Sequence, residues 1–444
     1  MNGVKMNENL KIPLVTEEQT FNEMVSRLYG NGSEILEKQT RRYKALLERY
    51  QSAFGAAEDL HWFSSPGRTE IGGNHTDHNH GRVLAAAVNL DSIAVVGKTD
   101  GNQVIIHSEG YNQPFIVDLN NLAVCPEEER TTSALIRGIA ARFKELGYHL
   151  GGFRACITSD VLPGSGLSSS ASIEVLIGSI FNHLYNEGKI DPETIALIGQ
   201  YAENVFFGKP CGLMDQITCA VGGIVTIDFK EPQKPRVKKI YFDFKSRNYS
   251  ILVVDTGGTH ADLTDDYAAV PREMKAVARE LGAETCRDIQ WEELLSNIKT
   301  LRPKVGDRAI LRALHFLQDN DRVLNQVAAL EKGDFETFLK LVSASGDSSF
   351  KWLQNIYSVN NVQEQGLTLA LALTEKYIDD CQKGACRVHG GGFAGTIQVF
   401  LPVDKVENYI RLIESVFGSN RVLVLSIRPQ GVLYLNSFLM NSQE

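Results

Sequence analysis

The chain of 444 residues is 43% hydrophobic and 22% charged, a globular composition with length for a sizeable core and an expectation of about two or three domains. A formal net charge of −9 disfavours nucleic acid and anionic membrane surfaces as partners. The seven cysteines are odd in number, scattered and without a C-x-x-C pair, which argues against a disulfide framework or a structural zinc and for a reducing compartment. Met1–Val15 has no signal-peptide core, and no apolar run reaches the roughly 18 residues a membrane span needs, so the expected setting is the cytoplasm.

Residues 16–53 carry helical periodicity, split into two helices at Gly30-Asn31-Gly32; a packing appendage is the plain reading. Leu60–Ser64 reads as a strand that runs into a polar, glycine-rich stretch, Pro66–Gly81. That stretch holds Arg68, Asn74, Asp77 and three of the chain's ten histidines, a density that suits a binding loop rather than a solvated turn. Strands are expected at Val83–Val88, Ser92–Lys98, Val104–Ser108 and Phe115–Leu119, a helix at Thr132–Leu146 and a strand at Gly152–Thr158.

The central stretch is Leu162-Pro163-Gly164-Ser165-Gly166-Leu167-Ser168-Ser169-Ser170-Ala171-Ser172, a turn that feeds an apolar helix. Glycines let the backbone curl round a ligand, and the orphan N–H groups and dipole at a helix start favour phosphate. The plain alternative is a serine-capped helix after an ordinary loop. Helices follow at Ser172–Tyr185 and Pro192–Phe207, the second carrying Glu203. Asp215, after a Pro-Cys-Gly turn, is either a helix cap or a base or metal ligand near the phosphate loop; an apolar run, Ile217–Ile227, follows it. Strands are expected at Lys238–Phe244 and Ser250–Asp255, then Thr256-Gly257-Gly258-Thr259-His260 and a helix with Tyr267 and Arg272. Helices dominate from 290 to 382. Last come a strand, a glycine loop at 390–395, a strand at Thr396–Leu401, a helix at Val406–Phe417 and a strand at Val422–Ile427.

Several chemistries compete for these loops. His75, His78 and His80 with Asp77 have metal-ligating side chains, although no H-E-x-x-H is present. Gly390-x-Gly392-x-x-Gly395 matches the dinucleotide fingerprint literally, but a strand follows it where that fingerprint needs a helix. Gly97-Lys98-Thr99 lacks the first glycine of a Walker loop, and the central serines lack the hydrolase elbow.

Three segments in order, Pro66–Asp77, Pro163–Ser172 and Gly390–Gly395, resemble the three motifs of the GHMP sugar and metabolite kinases. Cys211-Gly212-Leu213-Met214-Asp215-Gln216 resembles the catalytic segment of the galactokinase branch. The resemblance runs from about residue 53 to the end. It implies an α+β, two-domain GHMP kinase fold: a helical extension over 1–52, a ribosomal-S5-like N-terminal domain over 53–245 and a ferredoxin-like C-terminal domain over 246–444. It also implies ATP bound by Gly164, Ser165, Gly166, Leu167, Ser168, Ser169 and Ser170, and Mg²⁺ bound by Ser170 and Glu203. Asp215 would be the catalytic base and Arg68 the residue that steadies the transferring phosphoryl group. Asn74, His75, Thr76, Asp77, Gly212 and Tyr267 would contact the sugar.

Two departures bear on the sugar. Galactokinases usually read Gly-Glu-His-Thr-Asp-Tyr where this chain reads Gly73-Asn74-His75-Thr76-Asp77-His78, and Val-Asn where it reads Thr69-Glu70. Galacturonate kinases of the family lack that Glu and carry His in the Tyr position. The resemblance therefore implies ATP-dependent phosphorylation of a hexose at its anomeric hydroxyl, galactose first. The alternatives are a kinase for galacturonate or another modified hexose, and a non-catalytic galactose-sensing regulator. The expected partners are a small-molecule sugar and ATP, with no nucleic acid or membrane, and the expected state is a monomer.

Overall fold

The computed structural model describes residues 18–57, 59–162, 164–209, 211–258 and 263–437. The expected start of the first helix and the expectations for Met1–Val15, Pro163, Pro210, Thr259 and His260 lie outside the described residues. Two helices, α1 (Glu18–Tyr29) and α2 (Ser33–Phe54), precede strands β1 (His61–Gly72), β2 (Arg82–Lys98), β3 (Gln103–Ser108) and β4 (Phe115–Asp118). Next come α3 (Thr132–Glu145), β5 (Phe153–Ser159), α4 (Ser169–Tyr185), α5 (Pro192–Tyr201), α6 (Met214–Val221), β6 (Ile224–Asp228) and β7 (Arg236–Ile240). The second half holds β8 (Tyr249–Asp255), then α7 (Thr264–Glu280), α8 (Trp291–Val305), α9 (Asp307–Lys332), α10 (Phe335–Ser348) and α11 (Gly366–Cys381). It closes with β9 (Ala385–His389), β10 (Thr396–Pro402), α12 (Val403–Phe417), β11 (Val422–Leu425) and β12 (Leu433–Tyr434).

The first sheet runs β12-β1-β2-β5-β3-β4, with β6 pairing β2 and β7; β3 and β5 are parallel and the other pairs antiparallel. The alternation along Val83-Leu84-Ala85-Ala86 explains how it is buried on both faces. Val83 and Ala85 enter a core with helices α3 to α6, and Leu84 and Ala86 enter a second core that reaches Ile251, Val253 and Phe400 of the other half. The second sheet is antiparallel in the order β11-β8-β10-β9. Numbered by its own strands that is 4-1-3-2 with a helix after the first and third strands, the ferredoxin-like order, and α7 to α11 are inserted in the first crossover. Residues 427–437 return to the first sheet: Val88 bridges Ile427, and β12 pairs Phe63 and Ser64 of β1.

The strand expected to stop at Ser64 continues to Gly72 with two register shifts, Pro66/Arg68 and Glu70/Gly72. Proline is tolerated because β12 covers only residues 63 and 64, which leaves Pro66 on an edge. The two strands expected at Val83–Val88 and Ser92–Lys98 are one, because the intervening Asp91 is buried but fully paired, chiefly with Arg42 and Arg428. The helix expected at Pro192–Phe207 ends as a π turn, Ala202–Phe206, which carries Glu203. The apolar run Ile217–Ile227 divides into the end of α6 and β6, with Asp215 in the first turn of the helix.

Candidate active site

The free edge of β1 is where the central loop docks. The Arg68 amide donates to the Leu167 carbonyl at 3.0 Å, and a Cβ at Gly67 would fall 2.9 Å from that same oxygen, so a side chain there would push the loop off. Gly166 has φ 72°, and a Cβ on it would stand 2.4 Å from Thr396 Oγ1; the turn requires glycine on both counts. Ser168 takes φ 59° at the head of α4 and makes no side-chain cap bond, so the first N–H groups of that helix lack a capping side chain.

Arg68 and Asp215 meet here. Arg68 Nε is 2.6 Å from Asp215 Oδ1 and Nη2 is 2.8 Å from Oδ2, a two-pronged pair, while Nη1 donates to the Gly166 carbonyl at 2.5 Å. The Ser168 hydroxyl donates to the same carboxylate. Burial alone would raise the Asp215 carboxyl; Arg68 and Ser168 override it and hold the group below the usual carboxylate range. The result is an ionised carboxylate pinned beside the Gly164–Ser170 loop.

One helical turn away, Ser170 Oγ donates to Glu203 Oε1 at 3.0 Å, and Lys209 Nζ bonds the same oxygen at 3.1 Å. Gln216, next to Asp215, bridges Glu203 Oε2 and Glu174 Oε2 through its amide nitrogen, each at 2.9 Å. Burial first, and Glu203 next, push the Glu174 carboxyl well above its ordinary value. Ser170 and Glu203 offer the oxygen donors that suit a hard divalent cation. The residues missed from sequence are Glu174, Lys209 and Gln216. The one signal for Glu174 was its spacing, four residues after Ser170 on one helix face.

The expected sugar contacts divide. Asp77 and Gly212 are brought together so closely that a Cβ on Gly212 would fall 1.9 Å from Asp77 Oδ2. His75 donates through Nε2 to the Gly391 carbonyl at 2.8 Å, and burial with His78 nearby pushes its pKa down to about 3, so it is neutral. Tyr267 donates to the Gly392 carbonyl at 2.8 Å, which fastens the third glycine motif from the other side. Thr76 is buried and its hydroxyl bonds the Gly73 and Arg82 carbonyls inside the turn. Asn74 is 0% exposed; its amide donates to Glu70 and Gly390 and accepts from Asn355 and Ser349, so every bond it makes is within the protein. Glu70 in turn pairs with buried Arg387 at 2.6 Å. Among the described residues no three His, Cys, Asp or Glu side chains converge, so His75, His78, His80 and Asp77 do not come together as a ligand set. The glycines at 390–395 join two antiparallel strands, as a dinucleotide site would not.

Comparison with known proteins agrees with this layout. The family model for the GHMP kinases N terminal domain matches residues 134–223, and the galactokinase galactose-binding signature matches residues 48–98. A galactokinase of Glaesserella parasuis is 31% identical over 369 residues, 82% of this chain and 91% of the relative. One of Streptomyces coelicolor is 28% identical over 375 residues, 84% of this chain and 92% of the relative. Among solved structures, the Lactococcus lactis galactokinase complexed with galactose superposes with a TM-score of 0.76 at 23% identity, covering 88% of this chain and all of its own. The Methanococcus jannaschii mevalonate kinase gives 0.59 at 16% identity over 84% of this chain and 99% of its own. With the ferredoxin-like second sheet, the three glycine motifs in contact with one another and this level of identity over most of both chains, the protein belongs to the galactokinase family of the GHMP kinases.

Proposed function

We propose that this protein is an ATP-dependent sugar 1-kinase that converts galactose to galactose 1-phosphate. The observation that carries this reading is the two-pronged Arg68–Asp215 pair set between the glycine-serine loop and the Asp77–Gly212 contact. Ionised Asp215 accepts the proton of the anomeric hydroxyl as the hydroxyl oxygen bonds to the γ-phosphorus of ATP and the bond from that phosphorus to the bridging oxygen breaks, releasing ADP. Arg68 orients that carboxylate and neutralises charge that grows on the transferring phosphoryl group. The loop from Gly164 to Ser170 offers backbone N–H groups and serine hydroxyls to the triphosphate. Ser170 and Glu203 are the protein groups that would hold Mg²⁺, whose charge would offset that of the phosphates. His75, Asp77, Gly212 and Tyr267 frame the sugar, with Thr76 and Asn74 setting the shape of the turn that carries them.

A second reading, with galacturonate or another C6-modified hexose as acceptor, is favoured by one observation: the carboxylate near this turn sits at Glu70, and Arg387 keeps it inside the protein. A galactose-sensing regulator without turnover is disfavoured by the intact set of Arg68, Asp215, Ser170 and Glu203. Seven free thiols suit a cytoplasmic enzyme, and a monomer is the accompanying proposal. No helix among the described residues is long and apolar enough to cross a membrane.

The test is ADP release by the purified protein over a panel of free sugars, with Asp215→Asn as control. Galactose-dependent release that the control abolishes supports the reading. Release with galacturonate alone selects the second acceptor class, and sugar binding without release selects the regulator.

A further inference from the structure

The helices α1 and α2 lie mostly before the matched segment that starts at residue 48. Their apolar face, Phe21, Met24, Leu28, Tyr43 and Tyr50, packs on Trp62, Ile93 and Val95 of the first sheet, which suffices to attach them. The same contact also carries an ionic cluster that packing does not need. Arg42 Nη1 is 2.6 Å from Asp91 Oδ1 and 3.6 Å from Asp160 Oδ2, its Nη2 donates to the Asp91 carbonyl at 2.6 Å, and Lys38 Nζ is 3.0 Å from the same Asp160 oxygen.

Asp160 is the first residue after β5 and begins the connection into the central loop. Its amide donates to the Asp91 carbonyl at 2.9 Å. From there a relay of short bonds spans the loop's base. The Val161 amide donates to Ser159 Oγ at 3.1 Å, Ser159 Oγ lies 2.8 Å from Ser92 Oγ, and Ser172 Oγ of α4 donates to Ser92 Oγ at 2.9 Å. Entry and exit of the loop are thus fastened to one patch of β2, and Arg42 and Lys38 hold that patch from outside. Within the loop, Leu162 is 62% exposed and a Cβ on Gly164 would meet nothing within 4 Å, so its first half is held mainly at its entry, while Arg68 holds Gly166 and Leu167 further along.

We propose that α1 and α2 form a brace for the nucleotide loop, and that Lys38 and Arg42, acting through Asp160, are positioning residues for phosphate binding. The inference rests on the kinase reading of that loop. A loop held at both ends loses less freedom when it closes on a triphosphate, so loosening the brace weakens nucleotide binding. The sugar side is fastened separately, by His75 and Tyr267 to the third glycine motif, and is left unchanged.

Arg42→Ala is a poor test, because it strips buried Asp91 of a cation and threatens the fold. Asp160→Asn and Lys38→Met in the full chain avoid this, since both positions are partly or largely exposed. The readouts are the dissociation constant of a non-hydrolysable ATP analogue, KM for ATP and for sugar, and the thermal midpoint, with Lys38→Arg as the conservative variant. The expected result is an analogue affinity and an ATP KM weakened by about three- to tenfold, sugar KM and midpoint unchanged, and recovery in Lys38→Arg. Unchanged nucleotide affinity, or equal weakening toward ATP and sugar, overturns the brace alone. An unmodified chain that binds no nucleotide overturns the kinase reading and the brace with it.

Discussion

The Asn74 side chain donates a hydrogen bond to Glu70 Oε1 at 3.0 Å, so two of the positions at which the chain departs from the family's sugar motif, 70 and 74, are each other's partners. The family motif carries an amide at the first of these positions and a carboxylate at the second; here the order is reversed. The moved carboxylate is neutralised by Arg387, which lies on β9 of the other half. A pair exchanged in this way keeps its chemistry while its negative charge shifts from one side of the turn to the other.

Asn74→Glu on its own is therefore expected to bury a second carboxylate beside Glu70 with one arginine between them. The loss of stability should be about 3 kcal/mol or more, and the double exchange Glu70→Asn with Asn74→Glu should recover much of it. Denaturant melts of the four proteins give the coupling directly. A single variant as stable as the parent, or strictly additive changes, would disprove the partnership.

Asp215→Ala should lower turnover by about 10²–10⁴ while an ATP analogue still binds. The pH dependence follows from the direction of the shift. The folded carboxyl is depressed by Arg68 and Ser168, so the stability of that pair is present above the unfolded value of about 3.9 and is lost as pH falls through the lower folded value. Activity should accordingly show no acid limb from this group above pH of about 4. Arg68→Lys, which cannot make the two-pronged contact, should move the limb upward in a kcat/KM profile. A profile that stays in place would detach Asp215 ionisation from the mechanism.

Glu203→Gln should shift the Mg²⁺ concentration for half-maximal activity upward by about tenfold or more, since it replaces an anionic ligand by a neutral one. The variant fits only if the Gln216 amide turns: Gln216 donates to Glu203 Oε2 through its nitrogen, an amide nitrogen in that place would meet it donor to donor, and the unpartnered Gln216 Oε1 can accept instead. An unchanged Mg²⁺ titration would leave Glu203 as a structural carboxylate only.

Gly212→Ala tests the sugar side. The added methyl would stand 1.9 Å from Asp77 Oδ2, so that carboxylate must move. Sugar KM should rise by about tenfold or more with ATP KM little changed. Calorimetry with each ligand separately distinguishes this from general unfolding, and a sugar affinity equal to that of the parent would remove Asp77 from the pocket.

What the sequence revealed and what it hid divide along physical lines. The glycine motifs and the helix start at Asp215 are legible because local backbone demands fix them, a turn with positive φ, a helix start, a close approach, whereas the role of Arg68 comes only from the family resemblance. The continuation of β1 past Pro66 was not, because it depends on how far β12 reaches along the opposite edge, some 370 residues later in the chain. Asn74 was read as a sugar contact from its place in a motif, and its saturation by Glu70, Gly390, Ser349 and Asn355 arises from three separate segments meeting. Glu174 goes unmarked in the sequence, because nothing near it reveals that Glu203 lies across from it.

The return of residues 427–437 to the first sheet has a consequence for biosynthesis. Arg428, fully buried, bonds Ser64 Oγ at 2.7 Å and Asp91 at 3.0 Å, so the half made first contains an ion pair completed by a residue that follows the whole ferredoxin-like sheet in the chain. The nascent first half must wait, with Arg42 as the one cation on Asp91 beside the Tyr29 and Ser64 hydroxyls, until the ferredoxin-like half has been translated. A stalled chain ending before residue 427 should expose β1 and β2 to protease where the released full-length chain resists; equal resistance of the two would show that the first half closes unaided.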